Sequence, residues 1–83
     1  MEYNSLKRIL TVYYKWNEYK YRYYVRLVDV YQDSEKPNVF KIKLEIGNDA
    51  MYAEKVEKEM GILEILNAIS FYNLQLVSEI NNI

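Results

Sequence analysis

Lys20, Arg22, Tyr24 and Arg26 recur at every second position, with Tyr13 and Lys15 shortly upstream. In an extended chain that spacing places the later four on one face, cations beside a ring. Such a face offers binding chemistry. Guanidinium and ammonium groups can meet phosphates or carboxylates, and a phenol can stack on a base or pack against a protein. Tyr13, Lys15, Lys20, Arg22, Tyr24 and Arg26 are therefore the expected partner-binding residues. The competing reading is an ordinary solvent face whose long cations blunt edge pairing.

Catalysis has little to work with. The chain has neither Cys nor His, which excludes disulfides, thiolate and imidazole metal sites, histidine bases and the familiar nucleophilic triads. Glu54, Glu57, Glu59 and Glu64 are close in sequence, but Glu54 and Lys58 at i,i+4 make an ordinary helix pair. The two glycines form no Gly-rich loop for a nucleotide phosphate. No catalytic residue, metal ligand or cofactor site is expected, so the chain reads as non-enzymatic.

Rings and positive charge concentrate at one end. Eight of the ten tyrosines and Trp16 lie within the first 31 residues. Residues 1–26 hold six Lys/Arg against two Glu, and residues 27–83 hold five against ten Asp/Glu. The net charge of −1 argues against a dedicated nucleic-acid coat. Ile, Lys, Asn and Tyr supply 34 of 83 residues, and all four have AT-rich codons, as in low-GC bacteria, phages and plasmids. Codon usage raises the tyrosine total but does not explain the clustering.

A chain of 83 residues is expected to form a single domain, 1–83, with one shallow core. No apolar run approaches the roughly 20 residues a membrane helix needs. Met1 to Leu6 lacks a basic leader followed by an apolar block, so the expected location is cytoplasmic.

The elements that must carry these residues follow from periodicity. Leu10, Val12, Tyr14 and Trp16 alternate with Thr11, Tyr13 and Lys15, predicting a first strand over 9–16 and a hairpin turn at Asn17 and Glu18. A second strand from Tyr19 then places Tyr19, Tyr21, Tyr23, Val25 and Leu27 on a core face and the cations outside. The phase slips after Leu27, predicting a β-bulge near 27–29. Gln32 to Asn38 is a polar loop closed by Pro37. Phe40, Ile42, Leu44 and Ile46, alternating with Lys41, Lys43 and Glu45, give a third strand.

Asn48 or Asp49 can cap a helix over 50–59. The alternative is a strand over 51–57 in a hairpin turning at Gly47 to Asp49. Tyr52, Ala53, Val56 and Met60 make one helical stripe and Ile62, Ile65, Leu66 and Ile69 another, so the helical region should break at Gly61. A helix over 62–72 would end at Asn73 and pass into a short strand of Leu74, Leu76 and Ile80, with 81–83 frayed.

Residues 62–78, Ile-Leu-Glu-Ile-Leu-Asn-Ala-Ile-Ser-Phe-Tyr-Asn-Leu-Gln-Leu-Val-Ser, resemble small bacterial α+β domains of unknown function in which a helix ends at Gly-Trp and enters a Leu-Val strand. Asn73 and Leu74 stand in place of that Gly-Trp pair. The resemblance implies a helix-to-strand passage and no activity.

The expected fold is α+β. An antiparallel sheet of three or four strands in the order β-β-β-α-β carries a C-terminal helical region, broken near Gly61, on one face. The last strand would lie beside the first or at the far edge. The expected function is protein interaction through a tyrosine-rich sheet surface, as a homodimer or as a modulator or inhibitor encoded by a mobile element. The alternative is single-stranded nucleic-acid binding through the Lys/Arg/Tyr face of the second strand. No membrane partner is expected.

Overall fold

The structure, a computed structural model, describes residues 2–81. Its elements run α1 (Tyr3–Asn17), β1 (Tyr24–Gln32), β2 (Val39–Gly47), β3 (Glu54–Gly61) and α2 (Ile62–Asn81). The class is α+β with a three-stranded antiparallel sheet in the order β1-β2-β3. The element order is α-β-β-β-α, which corrects the expected β-β-β-α-β.

The first strand is a helix. Leu6, Ile9, Leu10, Tyr13 and Tyr14 follow the i, i+3, i+4, i+7, i+8 pattern of a helical stripe. Ile9, Leu10 and Tyr14 are buried, and Leu6 and Tyr13 pack against them. The period-two reading was drawn to Leu10 and Tyr14, which are four apart and satisfy both periods; Val12 and Trp16 are outside the core. No hairpin forms at Asn17 and Glu18. The amides of Glu18 and Tyr19 both donate to the Tyr14 carbonyl, at 3.1 and 2.9 Å, and Asn17 Nδ2 donates to the Tyr13 carbonyl at 2.8 Å. These bonds close the helix end, and residues 18–23 cross to β1.

β1 starts at Tyr24, five residues later than expected, but the bulge falls where the phase slip placed it. Leu27 pairs with Leu44 and Asp29 with Lys43, leaving Val28 as the extra residue. Val25, Leu27 and Val30 consequently all face the helices. Asp29 holds the bulge: its Oδ1 accepts the Val30 amide at 2.9 Å and the Tyr3 phenol from α1. β2 matches its expectation, with Ile42, Leu44 and Ile46 buried beneath the helices. The 33–38 connection is the expected loop, with Gln32 as the last strand residue instead of the first loop residue.

Residues 54–61 are β3, so the helix over 50–59 is overturned in favour of the hairpin alternative. Val56 and Met60 face inward, while Lys55, Glu57 and Glu59 pair outward against Glu45, Lys43 and Lys41. The register sets opposite charges across the two strands, and Lys41 and Glu59 form an ion pair at 3.0 Å. Gly61 marks a junction of strand and helix, not a break within a helix. α2 then runs through Asn73 and Leu74 to Asn81, so the last strand and its helix-to-strand passage are absent. Of the three residues expected to fray, Asn81 is the last residue of α2 and 82–83 lie outside the described residues.

Both helices lie on one face of the sheet, where Ile65 and Ala68 of α2 complete the core. The other face carries cross-strand charge rows. Arg26 meets Glu45 at 2.9 Å, and Lys41 meets Glu59 at 3.0 Å and Asp33 at 4.0 Å. No described helix is long and apolar enough to cross a membrane.

The Tyr3 hydroxyl holds the Asp29 carboxyl below its ordinary 3.8, and the Lys41 ammonium holds that of Glu59 below its ordinary 4.5. A carboxylate depressed on folding stabilises the fold above its unfolded value and loses that contribution as pH falls through the folded one. Asp29→Ala is therefore expected to lower Tm at pH near 6, and the gap from wild type should close as the pH drops below 3.8. Thermal melts followed by circular dichroism across the acid range test this; a gap independent of pH would refute it.

Candidate functional site

The turn joining α1 to β1 gathers rings and cations at one corner of the molecule. Trp16 leaves the last turn of α1 pointing away from the core and is 61% exposed. Tyr21 and Tyr23, expected on the core face with Tyr19, are instead 84% and 86% exposed. The helix of residues 3–17 takes the inward positions that an aromatic strand would have filled. Only Tyr19 of the three turns inward, its ring 6.3 Å from that of Tyr14.

Lys15, Trp16, Lys20 and Tyr21 line an open cleft of about 290 Å³. Lys20 Nζ stands 5.2 Å from the centroid of the Tyr21 ring, a cation–π distance that keeps both groups at the cleft mouth. Lys15 Nζ donates to the Arg22 carbonyl, which ties α1 to the turn. Glu18 is the one acid in residues 15–23, and it is taken up by Lys58 of β3 at 3.4 Å. Contact with the Tyr19 hydroxyl and with Glu18 raises the Lys58 ammonium above its ordinary range. The corner therefore presents Lys15, Lys20 and Arg22 with their local acid neutralised from behind.

The six expected partner-binding residues are only partly brought together. Lys15, Lys20 and Arg22 belong to this corner. Tyr13 does not: its ring is half-buried, edge-on to Phe71 of α2 at 6.1 Å, which corrects its outward assignment. Tyr24 is half-buried on the outer sheet face, opposite Gly47. Arg26 is on the same face, engaged by Glu45. Trp16, Tyr21 and Tyr23 were missed as contact residues because a period of two assigned them inward. Their density around Lys20 and Arg22 was the signal available.

The outer sheet face holds a shallow concavity of about 480 Å³, lined among others by Val28, Lys43, Glu45, Lys55 and Glu57. Its opposite charges alternate across the strands, so it concentrates no field of one sign. Among the described residues no cluster of Asp and Glu is arranged to hold a metal ion. Comparison with protein-family models, curated proteins and solved structures finds no match to this chain. The chemistry at the corner therefore carries the functional reading.

Proposed function

We propose that this chain is a small non-enzymatic protein-interaction module that contacts its partner through the α1–β1 corner. The observation that carries the reading is two exposed rings, Trp16 and Tyr21, lining a cleft with Lys15 and Lys20, with Arg22 and the exposed Tyr23 following in the same turn. Trp, Tyr and Arg are the residues that most often dominate protein interfaces, since each buries a large area while retaining a polar group. The cations favour a partner surface that offers carboxylates around an apolar side chain. A cytoplasmic modulator or inhibitor encoded by a mobile element fits the chain length and codon usage.

Affinity capture from the host with the full chain tests this. The Trp16→Ala/Tyr21→Ala variant is expected to lose a protein that wild type retains. Tyr52→Ala, which removes an exposed ring elsewhere, should retain it. Stability provides the control, because Tyr21→Ala at so exposed a position should shift it by no more than about 0.5 kcal/mol. Capture indifferent to the corner variant would overturn the proposal.

The same rings beside cations that form no ion pair among the described residues support a second reading, single-stranded nucleic acid, with bases stacked on Trp16 or Tyr21 and phosphates at Lys20 and Arg22. It requires salt-dependent quenching of Trp16 fluorescence by an oligonucleotide, lost on Lys20→Glu/Arg22→Glu. No quenching at low salt removes this reading.

A further inference from the structure

α2 has a second apolar face that the fold does not use. Ile65 and Ala68 are buried, and Ile69 and Tyr72 pack against the core. At about 100° per residue, Leu63, Leu66 and Leu74 fall within one sector turned away from that stripe, with Ser70 at its middle. Leu63 is 76% and Leu74 69% exposed, and Leu66 is also exposed. A helix facing water on one side ordinarily charges that side, yet residues 65–78 carry no charge at all.

We propose that this face is a self-association surface whose occupant is α2 of a second copy, packed antiparallel about a two-fold axis at Ser70. The surface area supports it. A globular monomer of 10.1 kDa exposes about 5,300 Å², whereas this chain exposes 6115 Å². The surplus, roughly 800 Å² over the whole chain, is of the order that each partner buries in an interface of standard size. Shape agrees: the radius of gyration is 13.4 Å against about 12 Å for a compact chain of this length.

Symmetry identifies the occupant. A two-fold contact needs a patch that complements itself, and an uncharged one does not repel its own copy. Leu66 and Leu74 lie four residues either side of Ser70. An axis there sets each Leu66 on the partner copy's Leu74, with the small Ser70 at the crossing where helix axes approach to about 8–10 Å. A membrane surface is less suited, because interfacial helices flank their apolar face with Lys or Arg and α2 has neither. The proposal does not depend on the α1–β1 corner.

Sedimentation equilibrium and multi-angle light scattering on the full chain test it. Wild type should show the mass of two chains, and both Leu66→Lys and Leu74→Glu should be monomeric with unchanged circular dichroism. Mixing those two variants should restore a dimer, since the antiparallel register sets Lys on Glu at one end and Leu66 on Leu74 at the other. Trp16→Ala/Tyr21→Ala should remain dimeric. A wild-type monomer at high concentration, a dimer indifferent to Leu66→Lys, or failure of the mixture to dimerise would overturn the proposal. Monomeric wild type that floats with phosphatidylcholine vesicles would assign the face to lipid instead.

Discussion

Tyr14→Ala is expected to cost about 3–5 kcal/mol, a large part of the roughly 4–12 kcal/mol that holds a domain of this length together, and to leave the chain substantially unfolded. Tyr14 is 2% exposed and among the largest fully buried side chains. Its ring meets the edges or faces of Tyr13 and Tyr19, and its carbonyl receives both amides that end α1. Truncation would therefore open a cavity where the helix, the turn and the sheet converge. Tyr14→Phe should be nearly neutral at pH 7, because among the described residues the Tyr14 hydroxyl makes no hydrogen bond that its loss would leave unpaired, and it is not itself a buried orphan. Chemical denaturation followed by circular dichroism separates the two.

Alkali extends that contrast. Burial, more than the nearby Glu18, raises the Tyr14 phenol above its ordinary 10.0. A phenol raised on folding contributes fully below its unfolded value and loses that contribution as pH climbs above 10.0. Wild type should lose stability there through Tyr14, and Tyr14→Phe should be spared that share.

The sheet was legible where a residue had one plausible partner set. β2 alternates without exception from Phe40 to Ile46, and only a bulge reconciles Leu27 with Val30 on one face. α1 was not legible, because Leu10 and Tyr14 lie four apart, a separation that fits both a strand face and a helical turn. What decides is Leu6, Ile9 and Tyr13, which extend the helical stripe and have no place in the strand pattern. β3 was obscured by Glu, Lys and Met, good helix formers whose pairing with Lys41, Lys43 and Glu45 exists only once β2 is beside them. Asn73 has a residue type suited to ending a helix, but it lies within α2, whose inward stripe continues to Tyr72.

The misread helix also moved the site. With residues 9–16 as a strand, Tyr21 and Tyr23 were needed to fill a core. With those residues as α1, Leu10 and Tyr14 fill it, and the two rings are released to the surface, Tyr21 in the cleft with Trp16. Beside α1, helix α2 docks through one stripe and exposes the other. The proposed partner-binding corner and the proposed self-association face would thus be two consequences of one packing arrangement. Joined by a two-fold axis at Ser70, two copies would present two such corners to a partner.

Gly47 and Gly61 should respond to substitution with opposite signs. Gly47 ends β2 where the chain turns toward β3, and a Cβ built there meets Ala53 Cα at 3.0 Å, the Asp49 carbonyl oxygen at 3.3 Å and Ala53 Cβ at 3.5 Å. The first two are backbone atoms of the turn, held by Asp49 Oδ1 accepting the Tyr52 amide at 3.0 Å, so they have little freedom to retreat. Gly47→Val should cost about 1–3 kcal/mol, the usual range for overpacking. Neither glycine has positive φ, so the penalty at Gly47 is steric. At Gly61 a Cβ meets nothing within 4 Å. Gly61→Ala should therefore add about 0.4–1 kcal/mol by restricting the unfolded chain. Thermal melts of both variants give the comparison. Destabilisation by Gly61→Ala would mean that the junction of β3 and α2 needs a backbone freedom absent from this structure, whereas a neutral Gly47→Val would mean that the turn can open without loss of the β2–β3 register.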